Sequence, residues 1–407
     1  MSSRISTRDD KKRRAVYLTE MSRLLYGPGP GGERATTAYI AIPNLRTPRL
    51  LVPGYSRRLA AAALRRYARP ASRAARLKRD AAVAALWCRL DRFMLPDRVT
   101  LDASGDNVAG YLRRSLGQEV HLSIHIGPAR ANRKPVIQIL DSGADTVGFA
   151  KLGTNELTRQ LVSAETAALR TLEGVRLLHV RVPRVRHSGT WGELQVLVQE
   201  ALPGWRRPMP VQNSRLYRAM RELSGCLGTQ DVALADSDYA STLEARMKVL
   251  ADRDCPDCST LVDAGVKLLD RHGDQRLTFG SWHGDWAPWN MSMLPEGLML
   301  WDFERFATGV PQGFDALHYT LQRDIVTREI DPTTAVLTLL SEAPRLLEPF
   351  EVRPSAARAT ALLYLVDLAA RYLTDRQAEA GAALGALGRW LLPTLLRHVA
   401  AEGVVLQ

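Results

Sequence analysis

The chain has 407 residues, 46% hydrophobic and 24% charged, a globular composition in a length too great for one ordinary core. Its net charge of +12 is unevenly placed, with 22 Lys/Arg against 7 Asp/Glu in residues 1 to 100 and 33 against 36 in the rest. Four cysteines exclude a disulfide scaffold at this size, no apolar run approaches the roughly 18 residues of a membrane span, and the basic start lacks a following apolar segment, so a cytoplasmic chain is expected.

Residues 1 to 35 are polar and reach Gly27 to Gly32, where every residue is Gly or Pro; a flexible basic arm is expected there. A basic extension over 36 to 100 follows. In it Tyr39 to Ile42 and Arg49 to Val52 are short strands, and Ser56 to Leu90 is Ala- and Arg-rich helix divided at Pro70. The arginines allow contact with anionic lipid or nucleic acid, but no nucleic-acid fold signature accompanies them, so a solvated helical face is the favoured reading. Stripes of Leu59, Ala63, Leu64 and Tyr67, then Val83, Leu86, Trp87 and Leu90, predict that these helices pack onto the rest of the chain.

After Pro96 the pattern becomes strand-rich. Val120 to Ile126 alternates, Pro135 to Leu140 follows, and Thr146 to Lys151 is third, with the connection from Gly127 to Lys134 holding a single Gly. Thr154 is the expected N-cap of a helix to about Glu173, whose Leu157, Leu161, Ala164, Ala168 and Leu172 keep helical spacing. Trp191 to Glu200 contains a further strand before Pro203 and Gly204. Beyond it the chain is mainly helical: about Asn213 to Leu227, Ser241 to Asp252, Ser259 to Arg271, Phe314 to Thr327, Pro332 to Leu340, Pro354 to Leu373 and Arg376 to Ala400. Cys255 and Cys258 have the spacing of half a zinc site or a redox pair. A second such pair is missing, and they are read as a partly exposed helix break.

Within this helical half, Ser281 to Asn290 reads Ser-Trp-His-Gly-Asp-Trp-Ala-Pro-Trp-Asn, and Leu298 to Glu304 reads Leu-Met-Leu-Trp-Asp-Phe-Glu. Asp285, Asn290 five residues on and Asp302 twelve further are the polar groups that phosphoryl transfer from a metal nucleotide needs. The attacking hydroxyl needs a proton acceptor, which Asp285 suits; Mg²⁺ prefers a few oxygen ligands, which Asn290 and Asp302 can supply. Pro295 to Gly297 reads as a tight hairpin that returns Asp302 beside Asn290. Trp282, Trp286 and Trp289 are read as packing more than as ligand contacts.

His-Gly-Asp, four residues, Asn, and then an apolar strand ending Trp-Asp-Phe-Glu resemble the aminoglycoside phosphotransferase and choline kinase group, relatives of protein kinases. The resemblance covers about three quarters of the chain. It implies an α+β, two-lobed protein kinase-like fold: an antiparallel β-sheet N-lobe over 101 to 200, a helical C-lobe over 201 to 407, and the α-rich extension before them. It further implies that Lys151 grips the triphosphate, that Glu165, fourteen residues later, pairs with Lys151, and that Glu200, Ala201 and Leu202 meet the adenine edge. Asp315 and His283 would steady the catalytic loop. The cofactors implied are ATP and Mg²⁺, and the activity is transfer of the γ-phosphate to a hydroxyl of an aminoglycoside, amino alcohol or sugar-like acceptor. The competing class is an inactive nucleotide-binding scaffold of the same fold, which the Gly-poor connection after Gly127 favours.

Overall fold

The computed structural model describes residues 3–27, 36–67, 73–103, 105–127, 132–253, 255–375 and 387–402. Most of the Gly/Pro run after Gly27, the division at Pro70, the middle of the connection after Gly127 and the start of the last expected helix lie outside them. The chain forms two compact units, residues 1–166 with 183–206 and residues 167–182 with 207–407. No helix among the described residues is long and apolar enough to cross a membrane.

In the first unit the elements are α1 (Ser3–Tyr26), β1 (Thr36–Ile42), β2 (Leu50–Pro53), α2 (Arg57–Tyr67), α3 (Arg73–Trp87), α4 (Asp91–Met94), β3 (Arg98–Asp102), α5 (Val108–Leu116), β4 (His121–His125), β5 (Val136–Leu140) and β6 (Thr146–Gly153). They continue with α6 (Glu156–Glu173), which runs on into the second unit, and, after β7 (Val180–Arg181) of that unit, with β8 (Val185–Trp191) and β9 (Leu194–Glu200). Eight strands form one sheet in the order β3-β1-β2-β4-β5-β6-β9-β8, and the neighbours are antiparallel.

This corrects two expectations. The segment 36 to 100 is not an extension before the sheet: β1 and β2 lie within it, and Leu50 and Leu51 of β2 pair with His125 and Ile124 of β4. The arm expected over 1 to 35 contains a helix, because its apolar residues find a covered face. Tyr17, Leu18, Met21, Leu25 and Tyr26 are buried with Tyr39, Ala41 and Leu51, and the Tyr26 and Tyr39 hydroxyls are 2.6 Å apart. Strand alternation sends the intervening side chains to the other face. There Ile40, Leu50 and Val52 pack with Leu59, Ala60, Leu64, Val83 and Leu86 of α2 and α3. The expected stripe holds for these helices up to Leu86, whereas Trp87 and Leu90 are exposed.

The second unit contains α7 (Asn213–Gly225), β10 (Gln230–Ala233), α8 (Asp238–Ala251), α9 (Pro256–His272), β11 (Arg276–Trp282), β12 (Met291–Leu294), β13 (Gly297–Leu300) and β14 (Ala307–Pro311). It closes with α10 (Phe314–Gln322), a π-helical turn at Arg323–Thr327, α11 (Pro332–Leu347), α12 (Pro354–Thr374) and α13 (Leu387–Glu402). The sheet-then-helix, α+β division expected from the sequence is therefore present. Its helical core gathers around α12, buried over most of its length, with Phe314, Leu317 and Leu321 of α10 in the same cluster. Cys255 stands, part-exposed, in the break between α8 and α9, whereas Cys258 lies inside α9, where burial raises its thiol, aided by Cys255 beside it, and keeps it protonated.

Leu25→Ala should lower unfolding free energy by about 2–4 kcal/mol in urea titration, since it empties a fully buried site. An unchanged midpoint would return α1 to the status of a free arm.

Candidate functional site

The loop between β11 and β12, residues 283 to 290, carries the motif. Its path is set by groups that take up its backbone. The Asp315 carboxylate, in the first turn of α10, accepts from the amides of His283 at 2.8 Å and Gly284 at 3.2 Å. Arg371 of α12 donates through Nη1 to the Gly284 carbonyl at 2.5 Å. Gly284 adopts φ 81°, and a Cβ there would sit 2.2 Å from the Arg305 carbonyl oxygen, so only glycine fits.

His283 is fully buried, and desolvation pushes it down to about 4, so the ring is neutral. The Asp285 amide donates to its Nδ1 at 3.2 Å, which leaves Nε2–H to donate to the Trp301 carbonyl at 3.1 Å. The ring thus ties the loop to Trp301, the residue just after β13. In the hairpin of β12 and β13 Met291 pairs with Leu300, and the Trp301 amide donates to the Asn290 carbonyl at 3.1 Å. Asp302 comes next, at φ 75° in the left-handed region that Asp tolerates better than most residues. The hairpin therefore brings Asn290 and Asp302 to one end of the ladder.

Asp285 keeps 31% of its side chain exposed. Its Oδ2 accepts from Asn290 Nδ2 at 2.9 Å, and the same amide group donates to the Asp285 carbonyl at 2.9 Å. Its Oδ1 accepts from His318 Nε2 at 3.0 Å. His318 is buried on α10, and its Nδ1 lies 3.1 Å from the Tyr364 hydroxyl of α12. Burial raises the Tyr364 phenol, so it stays protonated and donates to Nδ1, leaving Nε2–H for the carboxylate. Burial alone would raise Asp285; the His318 hydrogen bond and the Arg371 charge outweigh it and hold the carboxyl below its usual value. Burial lowers His318 itself, so the ring serves as a neutral donor.

Sequence reasoning did not reach His318, Tyr364 or Arg371. His318 three residues after Asp315, and Tyr364 and Arg371 seven apart on one helix face, carry no motif until the helices are placed against the loop. Trp282 and Trp286 are buried packing residues, and Trp289 is half exposed.

In the first unit Lys151 lies on β6, two residues before its end, paired with Val136 and Leu197. Its Nζ donates to both oxygens of Glu165, at 2.6 and 2.7 Å, and both side chains are buried. The helix that presents Glu165 is capped by Asn155 rather than Thr154: the Thr158 amide donates to Asn155 Oδ1 at 2.9 Å, and Thr158 Oγ1 accepts from the amides of residues 154 and 155. Glu200 closes β9 with its amide on the Arg184 carbonyl at 2.8 Å; Ala201 and the buried Leu202 follow outside the strand. Arg133, in the connection between β4 and β5, stacks its guanidinium 3.4 Å from the centre of the Tyr17 ring.

No family model and no curated protein matches the chain. Among solved structures it is similar to choline kinase LicA from Streptococcus pneumoniae, at 14% identity over 65% of this chain and 89% of that one, with a TM-score of 0.43. A thermostable aminoglycoside phosphotransferase APH(4)-Ia bound to ADP and hygromycin B matches at 11% identity over 73% and 99%, TM-score 0.45. A candidate fructosamine-3-kinase from Haemophilus somnus 129PT matches at 15% over 71% and 96%, TM-score 0.44. All three TM-scores lie below 0.5, and the reading of the site rests on its own geometry.

Burial pushes Asp315 from 3.8 up to about 7 despite the two amides that lower it. The folded chain then holds a proton in that window that the unfolded chain has released, so this group makes the fold less stable as pH rises through it. Asp315→Asn can accept from only one of the two amides and should cost about 1–3 kcal/mol. The cost in urea titrations should be larger at about pH 5 than at about pH 8. An equal cost at both values would contradict a raised carboxyl.

Proposed function

We propose that this chain is an ATP-dependent phosphotransferase that moves the γ-phosphate to a hydroxyl of a small molecule. The observation that carries this reading is the state of Asp285, a part-exposed carboxylate kept ionised and aimed by two side-chain donors, His318 and Asn290. A group so held can accept or orient an alcohol proton in the transition state.

The residues fit a hard divalent cation. Asn290 uses its amide nitrogen on Asp285, so its carbonyl oxygen is the atom that would ligate a cation, and Asp302 adds a half-exposed carboxylate two residues beyond the end of the hairpin ladder. These two would hold Mg²⁺, and the bound metal nucleotide supplies the phosphoryl group and offsets its charge. Lys151 neutralises phosphate oxygens, with Glu165 fixing the direction of its ammonium. The backbone of Glu200 to Leu202 receives the base. The acceptor class is an aminoglycoside, amino alcohol or sugar-like alcohol. Residues 201 to 407 carry 21 Lys/Arg against 26 Asp/Glu, which favours a cationic or neutral acceptor over an anionic one.

Asp285→Ala should abolish phosphate transfer from labelled ATP to a panel of such alcohols while leaving the melting shift given by Mg-ATP intact. Asp302→Ala should do the reverse to the shift, removing its Mg²⁺ dependence. Wild-type turnover in the first variant, or an unchanged Mg-ATP shift in the second, would overturn these assignments.

His318→Ala removes the donor that opposes desolvation at Asp285, so its carboxyl should rise. The acid limb of the kcat profile should then move to higher pH, with KM for ATP little changed. A lower kcat with an unmoved limb would mean that His318 only supports packing.

A further inference from the structure

Residues 73 to 94 carry six Lys/Arg and two Asp, and their exposed side chains are not those of an ordinary solvated face. Trp87 is 53% exposed, Leu90 48%, Phe93 84% and Met94 54%. All four fall within eight residues at the end of α3 and along α4. Arg89, in the left-handed turn at φ 62° that joins the two helices, and Arg92 are exposed among them.

The core does not require these side chains. Val83, Ala85 and Leu86 already close the helix against the sheet face, and Leu95 buries the chain again after the turn. The two acids are also engaged: Asp91 is paired with Arg98 at 2.6 Å and Asp80 with Arg79 at 2.7 Å. The cations Arg89 and Arg92 thus stand beside apolar side chains with little opposing charge.

We infer that the α3–α4 tip is an interfacial anchor for an anionic lipid surface, with Phe93, Trp87, Leu90 and Met94 entering the headgroup and acyl boundary and Arg89 and Arg92 meeting lipid phosphates. Charge complementarity selects this occupant. Nucleic acid would engage the arginines and leave an 84% exposed Phe in water, whereas a bilayer takes both chemistries at one depth. Arg73, Arg76 and Lys78, exposed further along α3, extend the positive field. The anchor is separate from the residues assigned to phosphate transfer.

The test is flotation of the full chain with phosphatidylcholine vesicles, and with vesicles containing about 30% phosphatidylserine, at low and high salt. Binding to the anionic vesicles alone, weakened by salt, is expected. Phe93→Glu, and separately the pair Arg89→Glu with Arg92→Glu, should each reduce it by about tenfold or more. Melting temperature and phosphate transfer in solution should stay at wild-type values, because these side chains are exposed. Equal binding to both vesicle types, no binding, or binding that Phe93→Glu leaves unchanged would overturn the anchor. So would a concentration-dependent dimer that Phe93→Glu dissolves in a chain that does not float, since the patch would then be covered by a second copy.

Discussion

The loop from His283 to Asn290 depends on one carboxylate that plays no direct part in the proposed chemistry. Asp315 takes the two amides at the sharpest point of the turn, and a loop that reverses at a left-handed glycine has no ladder to satisfy them. Arg371 takes the carbonyl of the same glycine. With both amides and that carbonyl occupied, Asp285 has little freedom to swing. Such bonds contribute about 1 kcal/mol each, and more where the partner is charged as Arg371 is, so the loop is stiff where its geometry matters.

On this base stands a directed chain of hydrogen bonds: the Tyr364 hydroxyl to His318, His318 to Asp285, and Asn290 to the other Asp285 oxygen. Direction follows from the phenol, which burial keeps protonated; once it donates to Nδ1, the imidazole has a single proton to offer, at Nε2. Burying a neutral His and Tyr is tolerable because each finds its partner. The result is a carboxylate held below its usual value in a setting whose desolvation alone would raise it. His283, equally buried and neutral, serves the loop through its two ring nitrogens rather than through charge.

The local parts of this arrangement were legible in the residues. The hairpin from Met291 to Leu300 follows from Pro295 to Gly297 and its apolar flanks, and its register sets Asp302 just past Asn290. The pairing of Lys151 with Glu165 was expected only from the family resemblance, and β6 and α6 bring the two side chains together. His318 and Tyr364 were not legible: 46 residues separate them, and each looks like a core residue on its own helix. The N-terminal third failed for a related reason. The strands β1 and β2 are short and could pair with anything, so only the assembled sheet reveals that they lie beside β4 rather than outside it. The sequence of α1 is polar over its first half, and among the described residues the apolar side chains that dock it lie between Tyr17 and Tyr26.

Trp87 and Leu90 show how far periodicity reaches. Both continue the stripe that buries Val83 and Leu86, and by spacing alone they belong to the core. The helix ends at Trp87, however, and Arg89 turns the chain through the left-handed region, so the stripe leaves the sheet just where its largest side chains begin. The earlier part of the helix exposes Ala81 and Ala84 and one large apolar side chain, Leu77, at 73%. At the tip, exposure falls together on Trp, Leu, Phe and Met, residue types whose removal from water releases much free energy, interleaved with two arginines and with Asp91, whose charge Arg98 takes up. A solvated helix face needs neither feature, and a lipid surface uses both.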